Sequence, residues 1–372
     1  MQARGLVAMG ILGWVAGCGA GAGFGGGSPS GNNSNGSTSS GGSTHVAKVY
    51  VANEAQGSIS VLDEHTGTVL TVIDLTDNGV AFTPHNVQGA PDGRSVWVTA
   101  PPRAEPDQHG HTAEMDEQAI IIDPTTDTVV GRVNLGRELH VAHVIIDSAS
   151  RHAYVTANEA NQVLQVDVGT RQVVRRFELG ADRQPHGMRE CGGLLYVANI
   201  TGKSISIVDP AGGTVDEVPL GGMAVQTACT PDGRYVFVSL YDTLEVVRLH
   251  TTTRAVTRIA LPAGSQGPIQ LYPTPDSTRL YVCDQGLLLD RPASNRLYEV
   301  NVEEATVAAT IEVGSGAHGV VVSDDGTKAY VTNIHDNSVS VVDTQSRSVV
   351  RTIPVGEEPN GVSHWHGTGA MP

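Results

Sequence analysis

Hydrophobic and polar positions alternate along this chain in short runs, and the runs return in a fixed order. One phrase, an aromatic residue followed by valine, occurs seven times: Val49–Asn53 (VYVAN), Val96–Ala100 (VWVTA), Ala153–Asn158 (AYVTAN), Leu195–Asn199 (LYVAN), Val236–Leu240 (VFVSL), Leu280–Asp284 (LYVCD) and Ala329–Asn333 (AYVTN), spaced 41 to 57 residues apart. Period-two alternation rich in β-branched and aromatic residues predicts a strand at each. A second alternating run follows, as in Ser58–Asp63, Ser204–Asp209 and Ser338–Asp343, and its final Asp is suited to bond the backbone of the next turn. A third run ends on an aliphatic residue, often before glycine, as in Phe177–Gly180, Glu217–Gly221 and Thr352–Gly356. A fourth precedes the aromatic phrase across Pro91-Asp92-Gly93, Pro231-Asp232-Gly233 or Asp324-Asp325-Gly326. Asp-Gly between two strand patterns is a hairpin signal.

Four-strand units of this length predict an all-β fold, a seven-bladed β-propeller. The ends of the array fit a closed ring. The copy at Val49 lacks its own preceding strand, and Pro359–Gly367 (PNGVSHWHG) is a preceding strand with no copy after it. Pairing the two completes blade one and leaves no long exposed edge; an open β-solenoid is the alternative architecture.

Lys328–Gly356 (KAYVTNIHDNSVSVVDTQSRSVVRTIPVG) resembles the YVTN-type β-propeller repeat of bacterial and archaeal envelope proteins, and the resemblance extends over roughly residues 46–367. It implies a fold and an envelope setting, not a reaction, because propellers host many unrelated functions.

The first residues read as targeting rather than fold. Arg4 precedes a short apolar run, Gly5–Gly17, with the dimensions of a signal-peptide core. Val15-Ala16-Gly17-Cys18 resembles a bacterial lipobox with the Cys18 thiol at the lipidated position; an ordinary signal peptide with a chance cysteine is the plainer alternative. Residues 19–44 are nearly all Gly, Ser, Asn and Thr, too polar to bury a core. As a flexible tether they would span on the order of 30 Å. The expected organisation is therefore a signal peptide and lipobox (1–18), a tether (19–44) and a propeller (45–372). An exported protein follows, lipid-anchored in the cell envelope, and Gly19 after the cysteine favours the outer membrane by similarity to Gram-negative lipoproteins.

A net charge of −16 argues against nucleic acid as a partner. Beyond Cys18 only Cys191, Cys229 and Cys283 occur, with no spacing for c-type haem or a zinc finger. Cys191 and Cys229 fall near equivalent ends of neighbouring inner strands, as a disulfide or as buried thiols. Thr201–Ser204 (TGKS) lacks the first glycine of a phosphate loop and has a strand where a helix is required, so no nucleotide motif is present.

Candidate chemistry gathers at one position. Counting the second residue of each inner-strand opening gives Asn360, His85, His143, His186, Val225, Ile269 and His318 in blade order. The polar members form one arc around the channel mouth, and converging imidazoles suit zinc or copper; the competing reading is a tolerated filler at a turn. The long blade-two loop, Pro101–Gln118, adds His109 and His111, with Glu114 and Asp116, as a metal cap or a mobile acidic flap. Leu287, Leu288 and Leu289 in the blade-six loop form a candidate apolar contact patch. Glu54 and Glu159 are the rim carboxylates available as general bases. Two functions follow. The first is an envelope-anchored scaffold that binds a ligand or protein partner on this face. The second is a metal-dependent enzyme, either a lactonase-like hydrolase or a copper oxidoreductase. Seven-bladed lactonases and nitrous-oxide-reducing enzymes are similar in fold, but the chain shows neither motif set in full and lacks the separate copper domain.

Overall fold

Every alternating run becomes a strand in the computed structural model, which describes residues 47–103 and 115–365. Its 28 strands form seven four-stranded antiparallel sheets, each running from an inner strand to an outer one in sequence order. The exception is blade one, whose inner strand is the last of the chain, Pro359–Trp365. It pairs Trp365 with Lys48, His364 with Val49 and Pro359 with Asn53, closing the ring. Trp365 Nε1 donates to the Gly93 carbonyl (2.9 Å) and Gly89 N–H donates to Ser363 Oγ (3.0 Å), so the closing strand is also fixed to blade two.

Burial follows radial position. The second strand of blade one, Lys48–Asn53, is buried throughout, whereas the outer strand Ser348–Pro354 buries only Ile353 fully. The aromatic of each repeat phrase, such as Tyr50, Trp97 and Tyr196, is packed away from water. Buried apolar residues fall into seven clusters, one at each junction between neighbouring blades, including the junction of blades seven and one. The core is therefore a ring of interfaces, and closure buries the last of them.

The repeat signature has a physical basis. Asn53, Asn199 and Asn333 are buried, and each donates from Nδ2 to two serine hydroxyls on the next strand at 2.8–3.1 Å. The asparagine thus joins two strands. The strand-final aspartates do bond the following turn, as Asp63 Oδ1 accepts from Thr66 N–H and Asp343 Oδ1 from Ser346 N–H, both at 2.7 Å. Cys191 and Cys229 are disulfide-bonded, linking the inner strands of blades four and five, while Cys283 is buried and free. Leu289 alone of the blade-six leucines is largely exposed. Leu288 packs on the core and its N–H bonds Tyr241 Oη (3.0 Å), so the expected three-leucine patch does not form. Residues 1–44, with Cys18, lie outside the described residues, as do His109, His111 and Glu114.

Closure also has an electrostatic clasp. His364 on the closing strand lies 3.0 Å from Glu64 and 3.4 Å from Asp324 and is 3% exposed. Burial alone would lower its pKa, but the two carboxylates outweigh it and raise it to about 9. A folded-state pKa above the unfolded one stabilises fully below the ordinary histidine value and loses that contribution as pH climbs through about 9. The contribution is on the order of 1–3 kcal/mol. The melting-temperature gap between wild type and His364→Gln is expected to be widest at pH 6 and to close by pH 10. A gap independent of pH would remove the clasp from the account.

Candidate metal centre

The inner strand of every blade opens with a one-residue bulge. In blade four Pro185 pairs with Asn199 and Met188 with Val197, so His186 and Gly187 share one opposite residue, Ala198. The same shift places Ala142 with His143, Val225 with Gln226, Ile269 with Gln270, His318 with Gly319 and Asn360 with Gly361. In blade two His85 and Asn86 both meet Thr99. A bulge bends its strand and re-aims its side chains, here at the channel mouth.

This register corrects the ring expected from the sequence. Val141, not Ala142, is the residue equivalent to Pro185, because Val141 pairs with Ala157 as Pro185 pairs with Asn199. The first bulge residues are Asn360, His85, Ala142, His186, Val225, Ile269 and His318, and His143 belongs to the second set with Gln226 and Gln270. Two layers of side chains therefore meet, and this brings His143 against its neighbours. Glycine occupies the second position in blade four because a Cβ on Gly187 would lie 2.0 Å from Gln226 Oε1 and 2.6 Å from its Cα.

Hydroxyls on the second strand hold the bulges to the next blade. Thr156 Oγ1 accepts the His143 N–H (2.9 Å) and donates to the His186 carbonyl (2.8 Å), fixing two histidines with one side chain. Thr99 does the same between Asn86 N–H and the Ala142 carbonyl, Ser239 between Gln226 and Ile269, and Thr332 between Gly319 and Asn360.

His85, His143 and His186 converge, with one ligand nitrogen from each within 4.8 Å of the others, and all three are buried. The rings meet edge to face at centroid distances of 4.9–5.7 Å. His186 Nδ1–H donates to the Val225 carbonyl (3.0 Å), which leaves the lone pair on Nε2. That atom faces His85 Nε2 at 3.3 Å. On its other side His85 Nδ1 lies 3.4 Å from Glu54 Oε2 and 3.1 Å from Asn360 Nδ2, and Asn360 also donates to Glu54. With Glu54 as its partner His85 offers a bare Nε2, whereas with Asn360 as donor its Nε2–H bridges to His186. The gap between the two Nε2 atoms thus takes a proton or a cation. Among the described residues His143 Nε2 is buried with no hydrogen-bond partner, and Gln226 Nε2 stands 3.4 Å from Nδ1, a long contact.

Burial sets the charge of the cluster. It is the main cause holding His143 well below the ordinary histidine range, ahead of repulsion from His186 and His85. Burial likewise brings His186 down to about 3 and His318 to about 4. Burial alone would raise the Glu54 carboxyl, but the His85 charge and bonds from His85 and Asn360 bring it below its usual value. The neutral His143 and His186 imidazoles beside an ionised carboxylate form a cation-ready site.

The donors fit zinc. Bonds of about 2.0–2.1 Å in a tetrahedron separate two ligating nitrogens by about 3.3–3.4 Å, the observed His85–His186 spacing. The third imidazole must approach by about 1–1.5 Å for the same geometry. Among the described residues His318 does not join the cluster: it is the blade-seven residue at the first position, and its Nδ1 is buried without a hydrogen-bond partner there. Glu159 is exposed on the rim, with no bond from its carboxylate to a histidine among the described residues. Asp116 pairs with Arg137 (3.0 Å) and Asn134. Gln226, Gln270 and Thr156 were not singled out from the sequence, where only the bulge register would have marked them; Gln270 Nε2 is buried and unpartnered.

No family model matches the chain. In sequence it is 25% identical over 324 residues to the uncharacterized protein YwhL of Bacillus subtilis, covering 74% of this chain and 68% of that one. In structure it is similar to hydrazine synthase of Kuenenia stuttgartiensis, with a TM-score of 0.65 and 18% identity over 80% of this chain and 92% of that chain. It is also similar to virginiamycin B lyase from Staphylococcus aureus, with a TM-score of 0.61 and 16% identity over 75% and 87% of the two chains. The chain is a seven-bladed β-propeller. At these identities the likeness extends to the propeller scaffold alone, and the residues at its channel mouth have to be read on their own.

Thr156→Val keeps the shape and removes both bonds to the histidine backbones. It is expected to cost about 1–3 kcal/mol in denaturant unfolding and to broaden the His143 and His186 imidazole NMR signals. An unchanged midpoint with unchanged signals would show that the hydroxyl does not position the cluster.

Proposed function

We propose that this propeller is an exported, lipid-anchored envelope protein that holds one zinc ion, or copper in its place, at His85, His143 and His186 and presents that end of the channel to a ligand or envelope partner. The observation carrying this reading is the His85–His186 Nε2 pair at 3.3 Å with a third imidazole beside it whose Nε2 has no partner among the described residues. Neutral imidazole suits zinc and copper, and no thiolate joins the set. Glu54 beside His85 Nδ1 supplies the carboxylate–histidine contact that commonly orients a metal ligand. The disulfide between Cys191 and Cys229 agrees with an oxidising compartment, as does the lipobox-like segment ending at Cys18.

A second reading is supported by the ligand count. Three protein ligands leave a fourth position, the arrangement of catalytic zinc, where a bound water becomes a nucleophile near neutral pH. Glu54 would then hold a proton or orient His85 during hydrolysis of a lactone-like substrate, and with copper the same site would carry redox chemistry. The near-complete burial of His143 and His186 favours a holding role over turnover.

The test is metal content and binding. The untagged chain should carry about one zinc or copper per molecule. Alanine at His85, His143 and His186 together should abolish this, while His318→Ala should leave it intact. A chain that neither carries metal nor competes with a chromophoric zinc chelator would contradict the proposal. Hydrolysis of a lactone panel that is lost in Glu54→Gln with zinc retained would move the assignment to the enzyme.

A further inference from the structure

The inner strands carry a second ring of equivalent positions, each opposite the aromatic of its repeat phrase. Arg189 pairs with Tyr196, Gln88 with Trp97, Ile145 with Tyr154, Ala228 with Phe237, Tyr272 with Tyr281, Val321 with Tyr330 and Ser363 with Tyr50. Arg189 is the one charge on this ring. It lies three residues beyond His186, about 10 Å along the strand. Met188 packs between blades three and four, so alternation turns Arg189 the other way, to the wall of a 340 Å³ cavity that also includes Tyr272, Gln88 and the Cys191–Cys229 bridge.

This guanidinium is left unmatched. Of its five N–H donors one is used, from Nη1 to the Met188 carbonyl at 2.9 Å. No carboxylate lies within ion-pair distance of it among the described residues, and burial lowers its pKa, with only the Tyr272 phenol acting the other way. The acids in the same wall are already engaged. Glu190 accepts from Ser148 N–H (2.8 Å), and Asp324 lies against His364 (3.4 Å). The guanidinium is half-buried in the cavity wall, so its remaining donors are open to water or to a ligand.

We propose that this cavity binds a small organic monocarboxylate, with the Arg189 guanidinium as its fork and the Tyr272 hydroxyl as a further donor. A planar guanidinium matches a carboxylate through two parallel hydrogen bonds. Besides Arg189 the wall holds Glu190 and the Asp324–His364 pair, so Arg189 is the cation left to meet an anion, which suits a monoanion better than phosphate. The apolar wall, including Ile145 and Ala228, suits the hydrocarbon part of such an acid. The site is independent of the metal proposed above, so it is tested on chelator-treated chain.

Benzoate is the probe, with benzamide and phosphate as its neutral and multiply charged counterparts. Benzoate should bind saturably by calorimetry and raise the melting temperature, and benzamide and phosphate should do neither. Arg189→Met should weaken benzoate by about tenfold or more, and Arg189→Lys should weaken it less. Without ligand, Arg189→Met should stay folded and melt close to the wild-type temperature, since no ion pair is lost. Equal binding of benzamide or phosphate, no saturable benzoate binding, or benzoate affinity unchanged in Arg189→Met would each overturn the proposal. If Arg189→Met unfolds the chain, Arg189 is structural and the proposal likewise fails.

Discussion

A bulge held by a hydroxyl is the constraint on which this site depends. Each inner strand takes one extra residue at its head, and in four blades a Thr or Ser on the next strand accepts the bulge N–H and donates to the carbonyl of the following blade. Without the extra residue, period-two alternation would send neighbouring side chains to opposite faces of the blade. With it, first and second bulge residues from different blades meet at the channel mouth, and His143 reaches His85 and His186. The same hydroxyls couple neighbouring blades, so the site's geometry is tied to the integrity of the ring.

Two kinds of electrostatics follow from one channel. At the bulged end, His143 and His186 are buried and desolvation holds them neutral. At the other end, His364 is buried between two carboxylates and holds its proton well into the alkaline range, while Arg189 has no acid partner among the described residues. On the two proposals above, one end takes a cation and the other an anion. Both are lined by the same inner strands, one at the bulge and the other beyond it.

The architecture was legible because repetition amplified weak signals. A single VYVAN run means little, but seven copies with Asp-Gly turns and complementary ends left few alternatives to a closed propeller, and the pairing of Pro359–Trp365 with Lys48–Asn53 follows that reasoning. The candidate histidines were legible as residues but not as a geometry. Counting from the openings aligned His143 with His186, whereas hydrogen-bond register sets His143 one residue on, because a bulge leaves no mark in an alternating pattern. His318 was drawn in by the same count, yet Asn360 stands between it and His85 in the ring. The disulfide was left open because sequence separation carries no information about Cα distance, here 5.7 Å. Arg189 went unnoticed because a lone arginine in a strand reads as surface until its missing partner is seen.

The central claim is that the space between His85 and His186 belongs to a metal rather than to a proton. Anomalous diffraction from crystals of the untagged chain, collected above and below the zinc and copper absorption edges, tests it most directly. The account predicts one strong peak within about 2.0–2.1 Å of both Nε2 atoms, with His143 drawn in as the third ligand. A map without a peak at that point, with the two nitrogens still 3.3 Å apart and His143 turned away, would contradict it.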